Sequence, residues 1–113
     1  MKTTGLVDTL RDALAGASSR IRLAFVFGSI VSGKETPSSD VDLLIVGNIK
    51  TEEIVGVLSR AEKSLRREIS VLVYSPKEFR HAYHTENHFI ASVVKEPKIW
   101  IIGDDNELER IVR

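Results

Sequence analysis

Apolar residues recur along this chain in two rhythms, and the changes of rhythm mark its elements. Leu6, Leu10, Ala13, Leu14 and Ala17 fall at helical spacing with Asp8, Arg11 and Asp12 between them. An amphipathic helix is predicted there, closed by Gly16 and the serines after it. Ile21 to Phe27 reads as a buried strand, and Val41 to Val46 as a second one stopped by Gly47-Asn48. Thr51 is the predicted N-cap of the next helix, with Glu52 and Glu53 in its first turn. Ile54, Val57, Leu58, Ala61 and Leu65 give that helix an apolar stripe, and Glu52, Glu53 and Glu62 fall on its wet side. Gly56 inside it costs about 1 kcal/mol against alanine.

Glu68 to Tyr74, EISVLVY, is rich in β-branched residues and predicts a third strand. Ser75-Pro76-Lys77-Glu78 has the form of a capping box with proline at the first helical position. The helix it opens runs or breaks through Phe79 to Lys95, where Phe89, Ile90, Val93 and Val94 suggest a buried face. Lys98 to Ile102 is a fourth strand carrying Trp100, read as core. Asp104 or Asp105 is placed to cap a closing helix with Leu108, Ile111 and Val112 inside. The order predicts an α/β (α+β) fold, with a mixed sheet of about four strands covered mainly on one face by helices.

Composition narrows this picture only a little. At 113 residues the chain is expected to form one domain, 1–113, with a single core. Hydrophobic content of 42% and charged content of 28% are ordinary for a globular protein. The formal net charge is zero, so no global field draws nucleic acid or an anionic membrane. The apolar runs are strand-sized, well below the roughly 20 residues of a membrane span. Met1 to Ala17 is interrupted by acidic and polar residues and does not read as a signal peptide. The absence of cysteine excludes disulfides and thiolate metal sites and suits a cytoplasmic location.

The chemistry concentrates between the first two strands. Asp40 and Asp42 flank one residue at the head of the second strand, so both carboxylates point to the same face. Like charges held that close repel unless a cation compensates them, and a hard divalent ion is the simplest one. Gly28 permits a tight turn and close approach to a ligand, while Ser29 adds a hydroxyl and an N–H. If the residues after Ser29 are helical, this turn lies at a helix N-terminus, where phosphate binds readily. A phosphate cradle beside a metal-binding acid pair implies nucleoside triphosphate chemistry. The bland alternatives are a turn with a helix cap for Gly28-Ser29, and a turn residue plus a solvent-facing strand residue for the acids. Aspartate is disfavoured in strands, which favours the functional reading. His81, His84 and His88 have spacings that would align them on one helix face, but no acid or fourth ligand accompanies them. They read as a polar surface. Arg66-Arg67 reads as a solvated face, since no aromatics interleave with it.

Gly28-Ser29, Gly33 and then Ser39-Asp40-Val41-Asp42-Leu43 resemble the signature of the DNA polymerase beta-like nucleotidyltransferase superfamily, and in particular its minimal members. VLVYSPKEF and EPKIWIIGDDNEL resemble a subgroup often fused behind a winged-helix DNA-binding domain. The resemblance implies that Asp40 and Asp42 hold Mg²⁺ (or Mn²⁺), and that Gly28 and Ser29 hold the triphosphate of ATP or another NTP, in a loop that also contains Gly33, Lys34 and Ser39. It implies transfer of a nucleotidyl group to a protein or small-molecule hydroxyl, with pyrophosphate leaving. A HEPN-type toxin is one such protein partner, and a homodimer is a second way to complete so small a domain. Direct nucleic-acid binding is not expected. The chain departs from the pattern at the third acid, where the alignment of VLVY puts Ser70; Glu68 is the candidate substitute. It also carries Ser32 where relatives have arginine, with Lys34 as a replacement cation. The alternative function is a catalytically weak or inactive module acting as nucleotide sensor or regulatory antitoxin subunit.

Overall fold

The computed structural model describes residues 3–34, 40–85 and 88–113. Helix α1 (Thr3–Leu14) and a 3-10 turn (Ala15–Arg20) lead into β1 (Ile21–Phe27), a short α2 (Ser29–Ser32) and β2 (Val41–Gly47). Then come α3 (Thr51–Leu65), β3 (Ile69–Tyr74), α4 (Pro76–His84), α5 (His88–Lys95), β4 (Ile99–Ile102) and α6 (Asp105–Val112). The strands lie in the order β3-β2-β1-β4. β1 is antiparallel to both β2 and β4, whereas β2 and β3 are parallel, so the sheet is mixed.

The expectation of cover mainly on one face is corrected: both faces are packed. Leu6, Leu10 and Leu14 of α1 and Ile54, Leu58 and Ala61 of α3 sit on Ala24, Val26, Leu43 and Ile45. On the opposite face Phe79 of α4, Ile90 and Val93 of α5, and Leu108 and Ile111 of α6 cover Leu23, Phe25, Leu44 and Val46. The cause lies in the central strands. Phe25, Val26, Leu43, Leu44 and Ile45 are apolar at both parities and fully buried, which requires cover on both sides.

Local signals set most of the boundaries. Ser75 and Glu78 form the reciprocal capping box, with bonds of 3.0 and 2.8 Å, and Pro76 starts α4. Asp104, not Asp105, caps α6 by accepting the Glu107 N–H at 2.9 Å. Thr51 is not the cap of α3: Lys50 takes that place in an extended conformation, and its carbonyl accepts the Glu53 and Ile54 N–H groups. The Phe79–Lys95 stretch breaks into α4 and α5. Phe89 is 46% exposed rather than buried. Trp100 is half-buried, edge-on to Phe25 at 5.3 Å. Two of the glutamates read as wet are engaged, Glu53 with Arg20 and Glu62 with the Ile69 N–H at 2.8 Å.

Gly47 closes β2 where the chain passes against β1. A Cβ there would lie 2.3 Å from the Arg20 carbonyl oxygen and 2.8 Å from the Ile21 Cα. Both are backbone atoms and cannot rotate away. Gly47→Ala is therefore expected to destabilise the fold by about 1–3 kcal/mol, as overpacking does, read as a lower midpoint in urea denaturation.

Candidate active site

β1 delivers Phe27 to the last pairing position of the ladder, opposite Asp42. The chain leaves the sheet at the next residue, Gly28, with φ 84° and ψ −150°. Only glycine adopts that region at little cost. The Gly28 carbonyl accepts the Val31 and Ser32 N–H groups at 3.1 and 3.0 Å, which turns the chain into α2. Gly33 ends α2 in the left-handed region, and the Lys34 N–H returns to the Ser29 carbonyl at 3.1 Å.

Asp42 occupies the space that a side chain on residue 28 would need. A Cβ on Gly28 would stand 2.4 Å from Asp42 Oδ2. The glycine thus serves two purposes, making the turn and admitting the carboxylate against a bare Cα. Asp40 lies two residues earlier, exposed, at the foot of β2. Burial, and then the charge of Asp40, hold the Asp42 carboxyl above its ordinary value. The ion pairs Arg20–Glu53, Arg22–Glu107 and Arg110–Glu107 lie away from both aspartates. Two adjacent carboxylates, one of them partly desolvated, form a donor set that fits a hard divalent cation.

The register between β2 and β3 pairs Asp42 with Ser70, so the serine stands beside the acid on the neighbouring strand. This is the position at which the resemblance leads one to expect a third acid. Glu68 precedes β3, exposed, and its carbonyl accepts the Val41 N–H at 2.9 Å. Among the described residues no three His, Cys, Asp or Glu side chains converge in a geometry that could hold a metal ion, the three histidines included. His84 Nε2 instead meets the Val112 carbonyl at the end of α6. Ser39 lies outside the described residues.

An open cleft of about 450 Å³ adjoins the turn, lined by Gly28, Ser29, Ser32, Lys34, Glu96 and Pro97. It gathers the Gly-Ser turn and Lys34, and it adds Glu96, which no sequence signal linked to them. Phe89 is a second addition. Its exposed ring packs edge-on against Phe27, at 6.0 Å between centroids, next to the strand position that faces Asp42. A wider groove of about 610 Å³ lies between α1 and α3, lined by Thr9, Asp12, Gly56, Val57 and Arg60 among others. Neither this groove nor the smaller cleft has Asp40 or Asp42 in its lining, and only the smaller one includes Gly28, whose Cα adjoins the Asp42 carboxylate.

Asp42 also ties the site to stability. Because its folded-state value is raised, the native protein binds more protons than the unfolded chain between the ordinary value and the raised one. Stability therefore falls as pH rises through that window, and the deficit persists at neutral pH. Asp42→Asn is expected to raise the melting temperature of the metal-free protein at pH 7. The gain should disappear in acid, where Asp42 is protonated in both states; calorimetry across pH measures it.

The fold is similar to those of solved structures. The fold superimposes on a crystal structure of a toxin–antitoxin with AMP-PNP, at TM-score 0.67 and 14% identity over 94% of this chain and 80% of that one. A second match is a mutant of the toxin–antitoxin MntA–HpeT with two aspartates, spaced by one residue, changed to glutamate. It superimposes at TM-score 0.66 and 12% identity, with the same coverage of 94% and 80%. No curated protein sequence matches significantly. No helix among the described residues is long and apolar enough to cross a membrane. The family model "Polymerase beta, Nucleotidyltransferase" matches residues 9–96, which span β1, the Gly28 turn, the acid pair and β3. The chain belongs to the polymerase beta nucleotidyltransferase family.

Proposed function

We propose that this protein transfers a nucleotidyl group from ATP or another nucleoside triphosphate to a hydroxyl of a protein or small molecule. The observation that carries the reading is the seating of Asp42 against the bare Cα of Gly28, with Asp40 beside it. That contact joins the acid pair and the phosphate turn into one site. Asp40 and Asp42 hold Mg²⁺ (or Mn²⁺), which when bound neutralises charge on the reacting phosphate and the leaving group. Gly28 lets the triphosphate approach the backbone, Ser29 offers its hydroxyl, and Lys34 offers a charge from the cleft wall. Gly33 ends α2 in the same turn, and Ser39 is assigned to the nucleotide from the sequence alone. The exposed Phe89 ring supplies an apolar surface for a base.

In the reaction the acceptor oxygen forms a bond to the α-phosphorus while the bond from that phosphorus to the bridging oxygen breaks. Pyrophosphate leaves, and the acceptor proton passes to Glu68 or to water. The resemblance to toxin–antitoxin complexes, one of them with a nucleotide analogue, supports a protein acceptor such as a HEPN-type toxin. A cytoplasmic setting suits that partnership.

A second reading rests on Ser70. Serine opposite Asp42 supplies neither a strong metal ligand nor a general base, which favours a nucleotide sensor or regulatory antitoxin subunit with little catalysis. Incubation with α-labelled ATP and Mg²⁺, with and without the neighbouring gene product, separates the two. Transfer should appear and be abolished by Asp42→Ala. ATP binding without a labelled product under any pairing supports the sensor instead, and no binding of ATP or metal overturns both.

Ser70→Asp tests the register directly. A third carboxylate facing Asp42 should tighten Mg²⁺ binding by about tenfold or more, worth at least about 1.4 kcal/mol, in a calorimetric titration. An unchanged isotherm would show that residue 70 does not face the pair.

A further inference from the structure

The two edges of the sheet are finished differently. β4 has four residues, its pairing with β1 is broken by a register shift, and Arg11 Nε of α1 donates to the Ile101 carbonyl at 3.2 Å. β3 is longer, entirely uncharged over ISVLVY, and has no fully buried residue. Among the described residues no strand lies beyond it. An edge of this kind is a template for another strand.

The hydrogen bonding at its two ends defines how much of it is open. The Val41 N–H reaches the Glu68 carbonyl, so the backbone groups of Glu68, Ser70, Leu72 and Tyr74 face β2. Those of Ile69, Val71, Val73 and Ser75 then face outward. Two of the outward donors are already taken, the Ile69 N–H by Glu62 Oε2 at 2.8 Å and the Ser75 N–H by Glu78 Oε1 at 2.8 Å. The open window is Val71 to Val73.

We propose that this window pairs with the same window of a second copy, antiparallel about a two-fold axis at Leu72. In that register Val71 faces Val73 of the second copy, and each pair exchanges two N–H···O bonds, four in all. Every outward N–H in the window is satisfied, and both end donors keep their glutamates. The axis stands perpendicular to the sheet, so each apolar layer continues into its counterpart.

Two further features fit this occupant. Val55 and Glu62 are two turns apart on one face of α3, and Glu62 bonds to the start of β3, so that face looks over the open edge. Val55 is 53% exposed there, an apolar side chain placed where the second copy's α3 would cover it. The edge is also charge-polar. The start of β3 is flanked by Lys63, Arg66 and Arg67 with Glu62 and Glu68, and its end by Glu52, Glu53 and Glu78 with Arg20 and Lys50. That leaves an excess of one positive charge at the first and of one negative charge at the second. A two-fold sets the basic end of each copy against the acidic end of the other, which favours a second copy over an unrelated strand. The register also puts Ser70, beside Asp42, opposite Tyr74 of the second copy, so association would wall the acid-pair end of the site.

Sedimentation equilibrium of the whole chain tests this without any nucleotide, so its outcome is independent of the proposed reaction. The protein should sediment at twice its 12.6 kDa chain mass. Val71→Pro removes an outward N–H and leaves the β2 ladder intact. Val55→Glu puts a charge on an exposed position and keeps the fold whatever Val71→Pro does. Val55→Glu, and Val71→Pro where it folds, should raise the dissociation constant about tenfold or more with an unchanged far-ultraviolet dichroism spectrum. A monomer at about 100 μM, corresponding to a free energy weaker than about 5.5 kcal/mol, overturns the proposal. So does a dimer indifferent to Val55→Glu and to folded Val71→Pro.

Discussion

The site depends on one contact, the Asp42 carboxylate lying on the Cα of Gly28. Any side chain at residue 28 would displace it, and a non-glycine backbone would resist the φ of 84° that turns β1 into α2. The turn and the acid position are therefore one constraint rather than two. Holding a partly buried carboxylate beside a second one is unfavourable without a cation. The strands that hold it are the two central ones of the sheet. Phe25, Val26, Leu43, Leu44 and Ile45 are fully buried between two helical layers and leave the acid pair little room to move apart.

Much of this was legible in the residues, and for physical reasons. Strands declared themselves through apolar β-branched runs, and the Ser75–Glu78 box and Asp104 through capping chemistry that depends only on near neighbours. The spacing of Gly28, Asp40 and Asp42 pointed to one place in the fold because an acid pair in a strand needs a reason, and the structure seats Asp42 against Gly28 there. The cover of the sheet was also written there but read wrongly. AFVF and LLIV do not alternate, and a strand apolar on both parities needs two covering layers. Thr51 misled because a capping residue type is only a propensity, whereas the cap goes to whichever residue is extended at the helix start, here Lys50.

What could not be read was whatever depends on distant parts of the chain meeting. Glu96 reaches the cleft beside Ser29 only because α5 and β4 bring their connection to that end of the sheet. Phe89 fits the helical period of a buried face, yet its ring extends past the core onto Phe27 and stays partly in solvent. Glu62 looked like a solvated helix residue until the fold placed a backbone N–H of β3 within its reach. In each case periodicity gave the face of the element correctly or nearly so. It could not say what stands opposite.

β3 brings chemistry and surface together, and its parity sorts them. Side chains at Ser70, Leu72 and Tyr74 share the sheet face of Asp42, while their backbone groups are committed to β2. Ile69, Val71 and Val73 put their side chains into the other layer and their backbone groups on the open edge. A change of side chain at Ser70 therefore acts on the acid pair, and the loss of a backbone donor at an odd position acts on the edge. The serine at residue 70 is thus an alteration of the site that leaves the outward backbone groups of the edge untouched. Metal binding and the proposed assembly meet through that side chain, which stands beside Asp42 on one side and opposite Tyr74 of the second copy on the other.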